Sequence, residues 1–400
     1  MGQVIKSITV LGLAAGSLMC QAGHADDADV FNIHAGASYI FDDNLFRLDD
    51  IPLPSGLKGR SDRILGMNAG VELDVPFRQQ RFTLDAMATR NLYAENDFLD
   101  HTAYRIRGGW NWHFTPRVSG LLSVDRDEAL TSFEDYRAYT GKNMRTNSAT
   151  RFEADVWLAS NWHALVGLAR ESRENSQTFR EEDNFEQMGW HLGARYDRGN
   201  GRSLTVRYLN RDGEYVDRVV DPVRLLDDAY AQGDLELNLA YPINDKTRVD
   251  GTLAYLDRGY DHFEARDYAG WRGRVGLTWN PTGKLGIKGE YARDISDWQD
   301  DESSYRVTNG FSIGAIWAKT AKQDFSASLE YKRRDYEGRA FTSVLPAREE
   351  DTAVLSVGWT WSPTRASKVN LQLRHELRDT NRVDYDYDAT SLSASARFLF

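Results

Sequence analysis

The chain has 400 residues, with 49 Lys and Arg against 60 Asp and Glu, and therefore a formal net charge of -11. An acidic chain without a block of basic residues argues against nucleic acid as a partner. The one cysteine, Cys20, cannot form an internal disulfide or a site built from several thiolates.

Residues 1–25 have the pattern of a secretory signal peptide. Lys6 supplies a basic start, residues 8–19 form an apolar core too short for a membrane-spanning helix, and small residues at 23–25 suit cleavage. Met19 before Cys20 disfavours lipid attachment, because a small residue is expected there. We therefore expect a single mature domain at 26–400, without thiol chemistry and without a cofactor.

Apolar and polar residues alternate in long runs along the mature chain. Every second residue is apolar, aromatic or glycine at 31–41, 65–77, 104–114, 235–241, 271–279 and 353–361. Period-two alternation predicts β-strands with one apolar face. Many of these runs exceed the usual soluble strand of about five or six residues, and they match the length that crosses a bilayer at a tilt.

Short turns and longer polar stretches separate these strands in alternation. Eight short turns lie at 77–80, 114–117, 160–162, 197–201, 242–245, 280–283, 319–322 and 362–365. Two strands around each turn, with a first strand at 30–41 and a last at 389–400, predict an all-β fold. We expect a transmembrane antiparallel up-and-down β-barrel of about 18 strands, with 16 as the alternative, whose short turns are periplasmic and whose longer loops are extracellular.

The last predicted strand ends on an aromatic carboxyl terminus. Its apolar face carries Leu392, Ala394, Ala396, Phe398 and Phe400. An alternating terminal strand that ends in Phe resembles the assembly signal of bacterial outer-membrane barrels. The resemblance implies recognition of Phe398 and Phe400 by the barrel assembly machinery, and a surrounding bilayer of outer-membrane lipid and lipopolysaccharide.

The phrase YIFDDNLF at residues 39–46 lies at the end of the first predicted strand. Together with the layout of the mature chain, it resembles the EpsL family of proteobacterial outer-membrane barrels, which are encoded with exopolysaccharide biosynthesis genes and linked to exosortases. The resemblance implies a role in exporting or anchoring an extracellular polysaccharide, with periplasmic export components as partners. It supplies no catalytic residues.

Two acidic clusters are candidate loop sites. Asp42, Asp43 and Asn44 follow the first strand, where Asp and Asn favour capping a turn through their own backbone; a calcium or sugar contact is the alternative. The acidic run 384–388 begins like a calcium loop, but it lacks the Gly and Glu that such a loop needs at its sixth and twelfth positions. We therefore predict no metal site.

If the apolar residues of each strand face lipid, the alternate residues line the lumen. These lumen-lining positions carry many charges of both signs. Such charge requires a lumen that is hydrated or laced with ion pairs. Paired wall charge is one interpretation, and arginine ladders at Arg105/Arg107 and Arg272/Arg274 that hold anionic sugars are the other. The candidate polymer-contact residues are Arg105, Arg107, Glu153, Asp155, Trp157, Arg207, Arg272, Arg274 and Arg374.

Catalysis has little support in the sequence, because its histidines lack paired metal-ligand spacing and no Gly-x-Ser-x-Gly motif occurs. The leading hypothesis is a passive outer-membrane channel that exports a polysaccharide or retains it at the cell surface. A small-solute porin of the same fold is the first alternative. A surface polysaccharide-binding anchor that does not conduct is the second.

Overall fold

The computed structural model describes residues 30–50, 52–134, 140–300, 302–339 and 346–400. The predicted signal peptide at 1–25, with Cys20, lies outside the described residues. Three short 3-10 helices occur in the described part, at Asp97–Leu99, Thr178–Asp183 and Glu264–Arg266. Within that part, no helix has the length and apolar character needed to cross a bilayer.

Eighteen antiparallel strands form one closed sheet, which confirms the predicted fold and the higher of the two strand counts. Each strand pairs with its neighbours in sequence, and β1 pairs with β18 to close the barrel. The strands are β1 Phe31–Asp42, β2 Asp62–Phe77, β3 Gln80–Tyr93, β4 His101–Thr115, β5 Val118–Leu130, β6 Met144–Ala159, β7 Trp162–Asn175, β8 Phe185–Gly199, β9 Arg202–Glu214, β10 Ala229–Asn244, β11 Thr247–Tyr260, β12 Tyr268–Thr282, β13 Leu285–Asp297, β14 Tyr305–Thr320, β15 Gln323–Glu337, β16 Glu349–Thr364, β17 Ser367–Thr380 and β18 Tyr387–Leu399.

The seam of the barrel is made by its two terminal strands. The register runs from His34 opposite Leu399 to Asp42 opposite Ser391. Phe400 continues the pairing, because its N–H donates to the carbonyl of Ile33 at 2.7 Å and its carbonyl accepts from the N–H of Ile33 at 3.1 Å. The aromatic carboxyl terminus is thus the last rung of the seam.

The two faces of the wall follow the alternation read from the sequence. Apolar side chains of one parity, such as Leu237 and its cross-strand partner Leu253, are exposed on the outside. Side chains of the other parity, such as Asp234 and Glu236 on the same strand, point inward and are buried. Successive side chains of a strand point to opposite faces, so the register of the strand pairs determines which residues face outward and which face the lumen.

Eight tight turns join strands at one end of the barrel, at the positions predicted for short turns. Thr115 and Thr282 stabilise two of them, since each hydroxyl oxygen accepts two backbone N–H groups at 3.1–3.2 Å. Asn200 turns the chain between two glycines with a left-handed φ of 53°. Asn tolerates this conformation better than most residues do.

Aromatic side chains pair across strands on the outer face towards the short-turn end. Phe82 stacks on Trp110 with ring centroids 5.9 Å apart, and Trp162 meets Tyr196 edge-on at 5.1 Å. Trp and Tyr favour the boundary between lipid and water, where their apolar rings and polar tips are both satisfied. These pairs are therefore placed as expected for an aromatic belt at one membrane interface.

Nine longer loops, L1 to L9, join strands at the opposite end. They span 43–61, 94–100, 131–143, 176–184, 215–228, 261–267, 298–304, 338–348 and 381–386. Two apolar clusters lie at this end. One joins Phe46, Leu48, Leu99 and Phe133 of L1 to L3, and the other is centred on Tyr230, Leu256, Tyr260 and Tyr268 of the inner wall.

Candidate functional site

The mid-lumen wall of β3 to β7 is a chain of ion pairs. Arg105 lies 3.5 Å from Asp85, and Arg107 lies 3.5 Å from Asp125. Asp125 also contacts Arg151 at 3.8 Å. Each arginine of this predicted ladder therefore has a carboxylate partner on the adjacent strand, as the paired interpretation expects.

The wall of β6 to β9 contains the next group of predicted contact residues. Asp155 accepts from His163 Nδ1 at 2.6 Å and from Arg195 at 2.5 Å. Glu153 and Arg207 lie within electrostatic reach of His191 on β8. This part of the wall combines both charge signs with imidazole groups.

Trp157 lies apart from that group, near the short-turn end. Its indole N–H donates to the carbonyl of Ser160 at 2.9 Å, and the Arg117 guanidinium lies 5.1 Å from its ring centroid. The side chain therefore supports a turn. The structure does not bring Trp157 together with the arginines of the mid-lumen.

Arg272 and Arg274 share one face of β12, but their surroundings differ. Arg274 is partly exposed and lies 3.8 Å from Glu290. Arg272 is buried and donates to Asp234 at 2.8 Å, and Arg211 pairs with the other oxygen of the same carboxylate. Arg272 is therefore a buried ion-pair partner, because the fully buried Asp234 requires a positive charge beside it.

The long-loop end of the lumen contains a denser cluster centred on Glu350. This carboxylate is fully buried and contacts three guanidiniums, with Arg348 Nε at 2.6 Å and Arg334 Nη1 at 3.4 Å. Arg378 donates to the same oxygen as Arg348, and the Tyr336 hydroxyl lies 3.1 Å from the other oxygen. Glu350 lies near the start of β16 and points inward.

Arg374 extends this cluster along β17. It donates to Glu376 at 3.0 Å, and Glu376 also accepts from the Tyr387 hydroxyl at 2.7 Å. Arg47 of L1 reaches the same carboxylate at 3.9 Å and pairs with Asp42 at 2.9 Å. A network of alternating charge therefore runs from β1 to β17 just inside the long-loop end.

Glu134, at the start of L3, reaches across the lumen and joins this network. Glu134 follows β5, yet its carbonyl accepts from Arg378 of β17 at 2.7 Å. Its carboxylate lies 3.4 Å from the Tyr387 hydroxyl and 3.9 Å from Arg334 of β15. The strands β18, β1, β2, β3 and β4 separate β5 from β17 around the barrel, so this contact spans the opening.

L5, L6 and L7 are joined to one another at the same end of the barrel. Arg266 of L6 is fully buried and donates to carbonyls of L5 and L7, at 2.7 Å to Arg224 and 2.6 Å to Ser303. Arg218 of L5 donates to the side-chain oxygen of Gln299 in L7 at 2.8 Å. Guanidinium to carbonyl bonds thus tie three loops into one unit.

Asp42, Asp43 and Asn44 act on their own backbone and that of β18. Asp42 accepts from the N–H of Asn44 at 2.9 Å, and Asp43 accepts from the N–H of Thr390 at 2.6 Å. The Asn44 side chain bonds the backbone of Leu48 in both directions, at 2.7 and 2.9 Å. These bonds support the capping interpretation of the three residues.

Another acidic group has ligand atoms close together, in L5 and L6. Oxygens of Asp227 and Asp228 and a ring nitrogen of His262 lie within 4.8 Å of one another. Asp227 already accepts from the N–H groups of His262 and Phe263, at 2.6 and 3.0 Å, and from the His262 ring at 3.0 Å. Its carboxylate therefore serves to join the two loops.

Sequence reasoning missed the residues that converge at the long-loop end. Glu134, Arg334, Glu350 and Arg378 lie at strand ends or in loops, which period-two alternation does not resolve. One local signal was available: Arg348 and Glu350 are two residues apart, and so share a face of a strand. The cross-lumen partners carry no comparable signal.

The geometry agrees with comparisons to known proteins. Residues 244–400, less than half of the chain, match the family model "Putative beta-barrel porin 2". No curated protein matches the chain.

Solved structures with a similar fold include an outer-membrane protein and a porin. OpdK of Pseudomonas aeruginosa, solved with vanillate, is 12% identical, with 92% of this chain and 99% of that chain covered at a TM-score of 0.52. A BenF-like porin from Pseudomonas fluorescens Pf-5 is 12% identical, with coverage of 93% and 99% and a TM-score of 0.51. OccAB3 of Acinetobacter baumannii is 12% identical, with coverage of 92% and 99% and a TM-score of 0.50. The chain is thus similar to porins in fold, and it is an eighteen-stranded porin-like barrel of the bacterial outer membrane.

Proposed function

We propose that the barrel is a passive porin for small charged solutes, the first alternative offered by its sequence. The observation that carries the proposal is the crossing of the opening by Glu134, which contacts the far wall at Arg378. Together with the bonds that tie L5 to L7, this contact places loop side chains inside the lumen at the long-loop end, which is extracellular in outer-membrane barrels. Charged side chains line the lumen, and a passing ion can bind weakly to one after another.

Export of a polysaccharide fits this arrangement less well. A polymer that threads the lumen would have to separate buried contacts such as Arg266 with Ser303, and to hold them apart while it moves. Breaking buried pairs is costly, because each leaves a charge without its partner. The exopolysaccharide role implied by the EpsL resemblance therefore remains a prediction without support from the loop contacts.

The mature chain reconstituted into planar bilayers and liposomes tests the proposal. We expect discrete conductance steps, entry of monosaccharide-sized solutes and amino acids, and exclusion of dextrans. Absence of both conductance and solute entry from heat-modifiable, inserted protein would contradict the porin. Passage of long dextrans at the same rate as monosaccharides would instead favour the polymer channel.

Measurements of ion selectivity test whether the lumen-facing arginines lie along the path that ions take through the barrel. Replacement of Arg105, Arg107 and Arg274 by Gln removes three inward charges of partly exposed side chains. The channel should become more cation-selective, because three positive charges are removed beside Asp85, Asp125 and Glu290. Asp125 and Glu290 each keep one cationic partner, Arg151 and Lys288.

A matched control removes three arginines from the outer face. Arg126, Arg170 and Arg293 have the lipid-facing parity, so their replacement by Gln changes the net charge equally and leaves the inner wall intact. Its selectivity should remain that of the wild type. Unchanged selectivity in the inner-wall variant would show that its arginines do not border the route.

A further inference from the structure

The pairing between β12 and β13 ends before either strand does. It runs from the short turn to Gly273 opposite Arg293 and stops there. Towards the long loops, residues 268–272 of β12 remain paired with β11, and residues 294–297 of β13 remain paired with β14. The structure describes every residue of these two segments, and no backbone pairing joins one to the other.

Side-chain positions show that the two segments overlap. Ile295 is in one continuous register with Tyr291, which is 51% exposed on the outer face, yet Ile295 is only 6% exposed. Its Cδ1 atom lies 2.5 Å from the point where a β carbon on Gly270 would lie. Gly270 shares the inner face of β12 with Arg272, so the outer face of β13 packs against the inner face of β12. The segment of β13 therefore lies inside that of β12, and the two form an overlap in the wall.

Tyrosine side chains close this overlap. Tyr268 on the inner face of β12 stacks on Tyr305 of β14, with ring centroids 4.8 Å apart. The hydroxyls of Tyr215 and Tyr260 donate to the carboxylate of Asp297 at the end of β13. The Tyr268 hydroxyl is buried and has no hydrogen-bond partner among the described residues, which is unusual for a buried polar group. Side chains alone thus hold the overlap, and one of their polar groups is available to another molecule.

The overlap lies beside the boundary between the membrane and the cell exterior. At its outer edge, Trp271 is 56% exposed and meets Tyr255 edge-on, with ring centroids 5.2 Å apart. Both residues lie in the long-loop half of their strands. Because Trp and Tyr favour the interface of lipid with water, this pair marks the level of the outer leaflet.

We propose that the overlap is a lateral exit, through which an uncharged, ring-bearing solute passes from the lumen into the outer leaflet. Opening it separates side-chain contacts only, whereas a paired stretch of strands would also lose its backbone hydrogen bonds. Tyrosine rings and Ile295 offer an apolar ring matching surfaces, and the Tyr268 hydroxyl can hydrogen-bond one polar group on the solute. The Asp297 carboxylate within the overlap disfavours an anion. This route is separate from the passage of ions along the barrel axis and does not depend on it.

A disulfide across the overlap tests the exit in intact cells. Gly270→Cys with Ile295→Cys places two thiols within reach of each other. Val275→Cys with Tyr291→Cys is the matched control, because it links the same strands where they are already paired. The probe is N-phenylnaphthylamine, an uncharged fluorophore that brightens when it enters lipid. Thiol labelling confirms each disulfide, and heat-modifiable migration confirms folding.

Cells that produce the oxidised overlap variant should take up the probe several-fold more slowly than cells that produce the wild type. Reduction of the disulfide should restore the rate, and the control pair should keep the wild-type rate in both states. Anilinonaphthalene sulfonate has the same rings with a negative charge, so the lock should not change its entry. Equal entry of the uncharged probe with the overlap locked and reduced would overturn the proposal, and equal slowing of both probes would contradict the uncharged ligand class.

A second variant loosens the overlap without a new covalent bond. Ile295→Ala removes the side chain that covers Gly270, so entry of N-phenylnaphthylamine should rise several-fold. Ile313→Ala, the same change on the exposed outer face of β14, should leave entry unchanged. No rise with Ile295→Ala in a folded, inserted barrel would count against the exit. Conductance of the same proteins in planar bilayers separates the two functions: a locked barrel that conducts like the wild type but excludes the probe supports the lateral exit, whereas an unlocked barrel that admits the probe without conducting would refute only the porin.

Discussion

Replacing Leu237 by Arg should destabilise the barrel far more than the same replacement at Asn238. Leu237 lies at the middle of β10, opposite Val206 and Leu253, and 39% of it is exposed on the outer face. An arginine at the lipid midplane costs about 2–4 kcal/mol. This cost corresponds to a loss of roughly 30- to 700-fold in the folding equilibrium constant.

Asn238 points into the lumen, where its side chain is hydrogen-bonded. Thr252 donates to its carbonyl oxygen at 2.8 Å, and its amide donates to Glu236 at 2.5 Å. Loss of the bond from Thr252 costs about 0.5–1.5 kcal/mol. A guanidinium beside Glu236 offsets part of that cost, because it pairs with the carboxylate. We therefore expect a net change of about 1 kcal/mol or less.

Equilibrium unfolding by urea in lipid vesicles, followed by tryptophan fluorescence, measures both changes. The Leu237→Arg barrel should unfold at a clearly lower urea concentration than the Asn238→Arg barrel, with similar slopes for the two transitions. Equal losses for the two variants would refute the assignment of faces. A larger loss at Asn238 would reverse that assignment.

Three further changes test other parts of the molecule. Deletion of 398–400 removes the last rungs of the seam with β1, so the protein should fail to reach the membrane; normal insertion in a cell-fractionation assay would argue against the assembly signal. Glu350→Gln should cost about 3–5 kcal/mol in urea unfolding, because it leaves three buried guanidiniums without a shared anion, whereas exposed Glu349→Gln should cost at most about 1 kcal/mol. The hydrogen bond to Asp227 raises the pKa of His262, so the contact between L5 and L6 is strongest below the ordinary histidine pKa and weakens as pH rises through the raised value. The protection factors of the L6 amides, which correct exchange rates for their intrinsic pH dependence, should then fall, and protection factors that do not change with pH would contradict this role.

The barrel was predictable from sequence because its determinants are local. Alternation of period two sets the face of each strand, and tight turns such as that at Asn200 set where strands end. Both signals survive in a single sequence, since neither depends on a distant residue. They sufficed for the strand count, the closure and the inward placement of Arg105, Arg107 and Arg274.

The side-chain contacts at the long-loop end could not be predicted from the sequence, because they join residues that are distant along the chain. Arg272 and Arg274 share a face of one strand, yet only Arg272 is buried, because β10 places Asp234 beside it through a register that links distant segments. Glu134 and Arg378 are 244 residues apart in sequence and meet only when the sheet has closed. Local patterns carry no information about such a contact.

The pairing of the wall charges has a consequence for selectivity. Arg107 with Asp125, Arg248 with Asp250 and Arg374 with Glu376 are neighbours on the same or adjacent strands, so their fields largely cancel within a few ångströms. At the entrance, three guanidiniums face Glu350 of the wall and Glu134 of a loop. Discrimination between solutes should therefore arise mainly at the long-loop entrance rather than along the mid-lumen wall.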